Sequence, residues 1–335
     1  MPLYSSTYKI QKMIKKFAEE LIRLRKPGLL SHINPDGDAI GSQLALFRWY
    51  LGFGAEPRMF NDDPVPAGLT WLSGQELIRP ASPSDLSNCD GFVMLDGNHP
   101  DRFGKMSEWY FQTGKPVYLI DHHLNPVSGF FRDILWDPKA CATALLVYRL
   151  FDHTCPDRID TSVAEAIYSG ILTDTGSFRF DTVTAETHTA IADLLKKGKI
   201  RPDEIHEKIY ENRSLSQLHL LGEMLQRIRL YCDNQLAITY VTSEMMSRFG
   251  ASHEELDGFV NYPLSLTGVK VSVLMAERDG RIKMSLRGKS AVNLNDVARK
   301  FQGGGHFNAA GAWHDGTEED AISDLVNELA DLLSG

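Results

Sequence analysis

The sequence predicts an α/β protein in two domains: a parallel sheet with helices on both faces, then a helical connector, then a smaller α/β unit. Between Pro27 and about Phe180, short apolar runs alternate with stretches of helical period, as in a parallel sheet covered by helices. At 335 residues the chain also exceeds the usual size of one hydrophobic core.

Each element follows in chain order. The opening "MPLYSSTYKIQKMIKKFAEELIRLRK" is too polar for a signal peptide and has the period of an amphipathic helix. "PGLLS" (Pro27 to Ser31) predicts a strand and "QLALFRWYL" a helix. "GFVMLD" (Gly91 to Asp96) and "PVYLID" (Pro116 to Asp121) predict two more strands. Two helices come next, "ATALLVYRLF" and "SVAEAIYSGILTDTG", the second running into a turn. From Thr184 to Leu230 the pattern is helical, with "KKGKIRPDE" as a break. A second unit opens near Tyr231 with the strand "QLAITYVT", and "VKVSVLMAERDGRIKMSLRG" predicts a hairpin turning at Arg-Asp-Gly. "NLNDVARKF" and "EEDAISDLVNELADLL" are helices, the last with acids in its first turn, where the macrodipole favours them. The limits read as 1–183, 184–230 and 231–335, and no internal repeat is visible.

Composition narrows the function. No apolar run approaches the roughly 18 residues of a membrane span, and with no signal peptide the expected compartment is the cytoplasm. Cys89, Cys141, Cys155 and Cys232 lack C-x-x-C spacing, so buried thiols are expected rather than a disulfide framework or structural zinc. A net charge of -9 opposes a general nucleic-acid coat but leaves room for a small phosphate ligand.

The loop "HINPDGDAIGS" (His32 to Ser42) sits at a strand-to-helix turn, at the sheet edge where open α/β folds bind ligands. Turn formation and helix capping explain each residue singly, except the histidine. An EF-hand register puts Ala39 or Ile40 where glycine belongs, whereas a histidine with carboxylates suits manganese or a similar ion, zinc included. On this loop alone, cap and metal site stand side by side. The other strand ends tilt the balance: Asp96, then Asp121, His122 and His123, while Asp174 follows an apolar helix end. Four such sites in register favour a metal centre.

These motifs resemble those of the DHH phosphoesterases, which include RecJ-like exonucleases, family II pyrophosphatases and phosphatases of nano-RNA and phosphoadenosine phosphate. "HINPDGDAIGS", the Asp of "LDGNHPDRFG", "DHH" and "TDTGSFRF" match its four motifs, and "GGGHFNAAG" resembles the loop of the DHH-associated C-terminal domain. One departure is visible, since Leu145, just after Thr143, stands where many relatives have Glu. The resemblance implies two divalent ions, manganese first, with magnesium or cobalt as substitutes. His32, Asp36 and Asp96 would hold one; Asp38, Asp96, His122 and Asp174 the other, and a shared hydroxide would be the nucleophile. Asp121 would orient the histidine ligand, and His123 would serve as hydrogen-bond donor or leaving-group acid.

Gly303, Gly304 and Gly305 could be a hinge, and no Gly-Lys-Ser/Thr follows to make a Walker loop. With His306 and Asn308, and with Ser285 and Arg287, which resemble a phosphate-contact position of the family, they look instead like a wall that holds a nucleotide. The implied activity is hydrolysis of short oligoribonucleotides to mononucleotides. Alternatives are a 3′-phosphoadenosine 5′-phosphate phosphatase, a cyclic or linear dinucleotide phosphodiesterase, or a catalytically silent nucleotide sensor; "GGGH" disfavours a pyrophosphatase. The implied partners are short RNA or small nucleotides, with neither long nucleic acid nor membrane, and a homodimer is left open.

Overall fold

The structure is a computed structural model and describes residues 3–289, 292–305 and 307–333. It divides into two compact units, Met1–Asn212 and Arg213–Gly335. The first contains strands β1 (Pro27–Ser31), β2 (Arg58–Phe60), β3 (Ile78–Arg79), β4 (Gly91–Leu95), β5 (Val117–Asp121) and β6 (Asp133–Trp136). Its helices are α1 (Leu3–Leu21), α2 (Gly37–Gly52), α3 (Pro83–Ser87), α4 (Met106–Thr113), α5 (Thr143–Thr154), α6 (Thr161–Asp174), α7 (Ala185–Gly198) and α8 (Pro202–Tyr210).

All six strands are parallel, in the order β3-β2-β1-β4-β5-β6. β1, β4 and β5 are buried along their whole length, because helices cover both faces. Leu29, Val93, Leu95 and Ile120 face a large core made with α1, α2, α5, α6 and α7. The alternate residues Leu30, Phe92, Met94 and Leu119 face a smaller core under α3 and α4. The strand order reverses between β1 and β4, and such switch points are where doubly wound sheets open a ligand crevice.

The second unit contains α9 (Leu215–Gln226), β7 (Arg229–Tyr231), β8 (Leu236–Val241), α10 (Ser243–Phe249), α11 (Asn261–Leu264), β9 (Val271–Arg278), β10 (Arg281–Gly288), α12 (Leu294–Lys300), β11 (Gly304–Gly305), β12 (Ala309–His314) and α13 (Glu318–Leu333). Its sheet runs β11-β12-β10-β9-β8-β7, antiparallel except for β8 with β9. The β9–β10 hairpin turns at Asp279 and Gly280, both left-handed at φ 53° and 75°, the geometry of a two-residue turn that follows strand twist.

Two expectations change. The stretch 184–230 is shared between the units rather than standing apart as a connector, because Ala190, Ile191 and Leu194 of α7 enter the first core while Leu220, Leu221 and Met224 of α9 enter the second. The sequence reading also passed over β2, β3, β6 and β11, which have two to four residues, and β12, and all five stand at or next to a sheet edge. Among the described residues no helix is long and apolar enough to cross a membrane.

Candidate metal centre

β1, β4 and β5 all end in acids or histidines at one sheet edge, and two helices bring the rest. Asp36 is the N-cap of α2, its Oδ1 accepting from the amides of Asp38 and Ala39 at 3.0 Å each. Capping and a place beside His32 therefore coexist in one side chain. Asp38 lies two residues further in, within the first turn of α2, and is fully buried. Asp174 ends α6, and α6 reaches α2 through small residues: a Cβ on Gly41 would lie 2.3 Å from the Ala166 carbonyl, and one on Gly170 3.0 Å from Asp38 Oδ1. Glycine at these two contacts is what lets Asp174 approach Asp38.

The histidines are pre-set as ligands. His32 Nδ1 donates to the Ile33 carbonyl at 2.8 Å, and His122 Nδ1 to the Ala140 carbonyl at 3.1 Å. A carbonyl only accepts, so Nδ1 carries the proton in each ring and the Nε2 lone pair faces the acids. His32 Nε2 is buried without a hydrogen-bond partner, 3.4 Å from Asp96 Oδ2 and 4.0 Å from Asp36 Oδ1. His122 Nε2 lies 3.3 Å from Asp174 Oδ2, 3.6 Å from Asp96 Oδ1 and 3.9 Å from Asp38 Oδ2.

Asp96 stands between the two sets, one carboxylate oxygen toward His32 and the other toward His122. It follows β4 in a left-handed conformation, φ 59°, which Asp tolerates better than most residues. The groups His32–Asp36–Asp96 and Asp38–His122–Asp174 each bring three donor atoms within 4.8 Å of one another, as does Asp96–His122–His123.

Asp121 behaves differently from expectation. Its Oδ1 accepts from Nδ1 of His123 at 2.8 Å, and His122 is oriented by the Ala140 carbonyl instead. Residues two apart on an extended chain share a face, whereas neighbours point opposite ways. His123 is buried and its Nδ1 is also 3.5 Å from Asp96 Oδ1, so this ring borders the same cluster.

Sequence reasoning missed the loop that supports the acids. The amides of Thr143 and Ala144, at the N-terminus of α5, donate to Asp38 Oδ2 and Oδ1 at 2.6 and 2.7 Å. Ala142, the N-cap of α5, has no side chain to offer, and Asp38 satisfies those amides from across the fold. Thr143 Oγ1 donates to Asp96 Oδ1 at 2.9 Å. The available signal was the small-residue run "ACATA" at the start of an apolar helix. Replacing Thr143 by valine keeps shape and amide but removes the bond to Asp96. Manganese affinity, measured by titration calorimetry, is expected to fall about tenfold, the low end for losing a group that orients a ligand.

The charges conflict without cations. Burial first, then the charges of Asp96 and Asp174, push Asp38 well above the usual carboxylate range, and burial with Asp96 does the same to Asp174. Asp96 goes the other way: burial opposes its charge, but the close approach of His32 and the charges of the three nearby imidazoles hold it well below that range. Burial is the largest influence on His32 and His122 and opposes their protonation, yet the surrounding acids together outweigh it and raise both: Asp96 with Asp36 at His32, and Asp96 with Asp38, Asp121 and the Ala140 carbonyl at His122. Buried carboxylates in mutual repulsion, with imidazole lone pairs aimed among them, form an oxygen-and-nitrogen donor set that fits divalent transition ions.

The remaining expected site residues lie in the second unit. Ser285 and Arg287 are two apart on β10 and share a face. A Cβ on Gly303 or Gly305 would lie 2.1 and 2.4 Å from the β12 carbonyls of Gly311 and Ala309, so chain packing alone requires glycine there, while a Cβ on the exposed Gly304 would make only an ordinary contact with Asn295 Oδ1 at 3.8 Å. Asn308 keeps a buried Oδ1 without a partner. His306 lies outside the described residues.

Comparison with known proteins agrees with this layout. Residues 28–171 match the DHH family N-terminal domain and residues 233–335 match the DHHA1 domain. The chain is 31% identical over 310 residues to a bifunctional oligoribonuclease and PAP phosphatase NrnA of Thermus thermophilus, covering 90% of this chain and 87% of that protein. It is 27% identical over 288 residues to the protein of the same description from Bacillus subtilis, covering 84% and 87%. The crystal structure of an exopolyphosphatase-related protein from Bacteroides fragilis superposes with a TM-score of 0.92 at 32% identity, over 97% of this chain and 98% of that one. With both domain types in order and relatives matched along most of their length, the chain belongs to the DHH family and carries a DHHA1 domain.

Proposed function

We propose that this protein is a phosphoesterase that hydrolyses short oligoribonucleotides to mononucleotides, and 3′-phosphoadenosine 5′-phosphate as well, with two divalent ions of the manganese type. The observation that carries the two-ion part is Asp96, whose two oxygens face different donor sets. His32, Asp36 and Asp96 would hold one ion; Asp38, Asp96, His122 and Asp174 the other. When bound, such ions neutralise phosphate charge and supply a water that deprotonates far more readily than bulk water. The substrate classes rest on the two activities named for the relatives in Thermus thermophilus and Bacillus subtilis.

The chain's own groups do the rest. Asp121 accepts the Nδ1 hydrogen bond of His123, so the proton that ring can surrender to a leaving oxygen is the one on Nε2. Thr143 and Ala144 keep Asp38 in place, and the Ala140 carbonyl keeps His122 in place. Ser285, Arg287, Gly304 and Asn308, with His306 and the flanking Gly303 and Gly305, hold the nucleotide's phosphate and sugar. The four cysteines are free thiols, consistent with a cytoplasmic setting.

The test is the purified protein with manganese, offered labelled RNA and DNA from dinucleotides to long chains, 3′-phosphoadenosine 5′-phosphate and cyclic dinucleotides. Turnover of short RNA and of 3′-phosphoadenosine 5′-phosphate, abolished by chelation, is expected. A preference for long DNA, or no hydrolysis at all, would overturn the proposal. Arg287→Ala and His306→Ala are expected to raise KM about tenfold, as for loss of one charged hydrogen bond. Calorimetric manganese binding should be unchanged, and its loss in either variant would contradict this division of roles.

A further inference from the structure

The second unit's sheet has two unlike faces. One packs wholly on α12 and α13. The other is covered only in part: Leu274 and Ala276 of β9 lie in a core with α9 and α10, but the same face of β10 and β12 is half-exposed. Along β10 the residues on that face are Arg281, Lys283, Ser285 and Arg287, alternating with the buried Ile282, Met284 and Leu286. Directly across on β12 stand Trp313 opposite Lys283 and Gly311 opposite Ser285.

The cations in this row are not equivalent. Arg281 is bound to Asp315 and to Gln302, so its charge is already answered. Lys283 has no acidic partner among the described residues. Its ammonium lies 4.8 Å over the Trp313 ring and 3.1 Å from where a Cβ on Gly311 would stand, so the missing side chain of Gly311 is what gives it room. Burial, and the charge of Arg278, depress its affinity for a proton. A half-buried cation with no counter-ion is costly to keep unless something negative arrives. Arg287 donates to the Leu286 carbonyl and feels the charge of Asp257, but no carboxylate is in ion-pair contact with it among the described residues.

Resting on the oligonucleotide reading of this protein, we infer that Lys283, seated on Trp313 and Gly311, is a second phosphate subsite that takes the internucleotide phosphate next to the one held by Ser285 and Arg287. Alternate residues of a strand are about 6.7 Å apart, the same order as successive phosphates along an extended single strand. A mononucleotide bisphosphate has no further nucleotide to place there, and an oligonucleotide has. Lys283 therefore sets chain-length preference, not chemistry.

Equilibrium binding to the full-length protein tests this directly, with a labelled pentaribonucleotide and with 3′-phosphoadenosine 5′-phosphate as probes. Lys283→Ala is expected to weaken pentanucleotide binding about tenfold, as for loss of one charged hydrogen bond, and to change bisphosphate binding less than about twofold. The slope of log affinity against log salt should shrink by about 0.7, one single-strand phosphate contact. Lys283→Arg should restore both. Equal losses for the two probes, or none for either, overturn the subsite. Pentanucleotide binding that depends on Lys283 in a protein that hydrolyses no RNA would sink the functional reading and leave the subsite standing. Hydrolysis of RNA with no dependence on Lys283 would do the reverse, and wild-type protein that binds neither probe overturns both.

Discussion

Replacing Asp96 by asparagine is expected to lower kcat/KM by about 10³-fold or more, the upper end of what one electrostatic group contributes, in a protein that still folds. Asparagine is the gentlest available change, because it also tolerates the left-handed backbone at φ 59° and keeps an oxygen for the Thr143 hydroxyl. What it loses is charge. An amide offers one neutral oxygen where the carboxylate turns two charged ones toward His32 and His122. Manganese titration should show fewer ions bound, or the same number far more weakly. Near wild-type turnover at saturating manganese would remove the bridging assignment.

The second large effect is expected at His123. Alanine there should reduce kcat by roughly 10²- to 10⁴-fold, the range for a positioned general acid, with manganese stoichiometry unchanged. A substrate with a leaving group such as p-nitrophenolate should recover part of the loss, since that oxygen departs without a proton. Asp121→Asn should act in the same direction, because the carboxylate that fixes the Nδ1 side of the ring becomes an amide that can present either donor or acceptor. A variant that loses an ion would make His123 a ligand, through its place beside Asp96 and His122. Untouched activity would reduce it to packing.

Much of this is legible in the sequence. β1, β4 and β5 are apolar runs, each ending in or followed at once by a side chain able to ligate a metal, His32, Asp96 and Asp121, and that pattern pointed to the cluster. The α2, α5 and α6 helices likewise carried enough apolar period to be seen. β12 is "AAGAWH", with no β-branched residue, so its strand character comes from pairing with β10 rather than from local preference. The partner of Asp121 was misjudged because "DHH" does not reveal where the strand stops alternating. Backbone donors at the start of α5 were invisible for another reason: any residue type can supply an amide, and only the fold places it against Asp38.

The crossing order of the first sheet bears on how the protein is made. The residues gathered at the candidate centre come from the ends of β1, β4 and β5, from the start of α2 and from the last residue of α6, so their order of synthesis runs from His32 to Asp174. A ribosome that has released β5 has already delivered most of the acids, yet Asp38 has neither its α5 amides nor its α6 neighbour until well over a hundred residues have followed His32. An emerging chain thus carries its ligands for some time before it can arrange them, and cation capture becomes a late event that marks a completed first unit. A chain truncated ahead of α6 lacks Asp174 and the close α2–α6 contacts at Gly41 and Gly170, so its cation affinity would report whether that part of the first unit is in place.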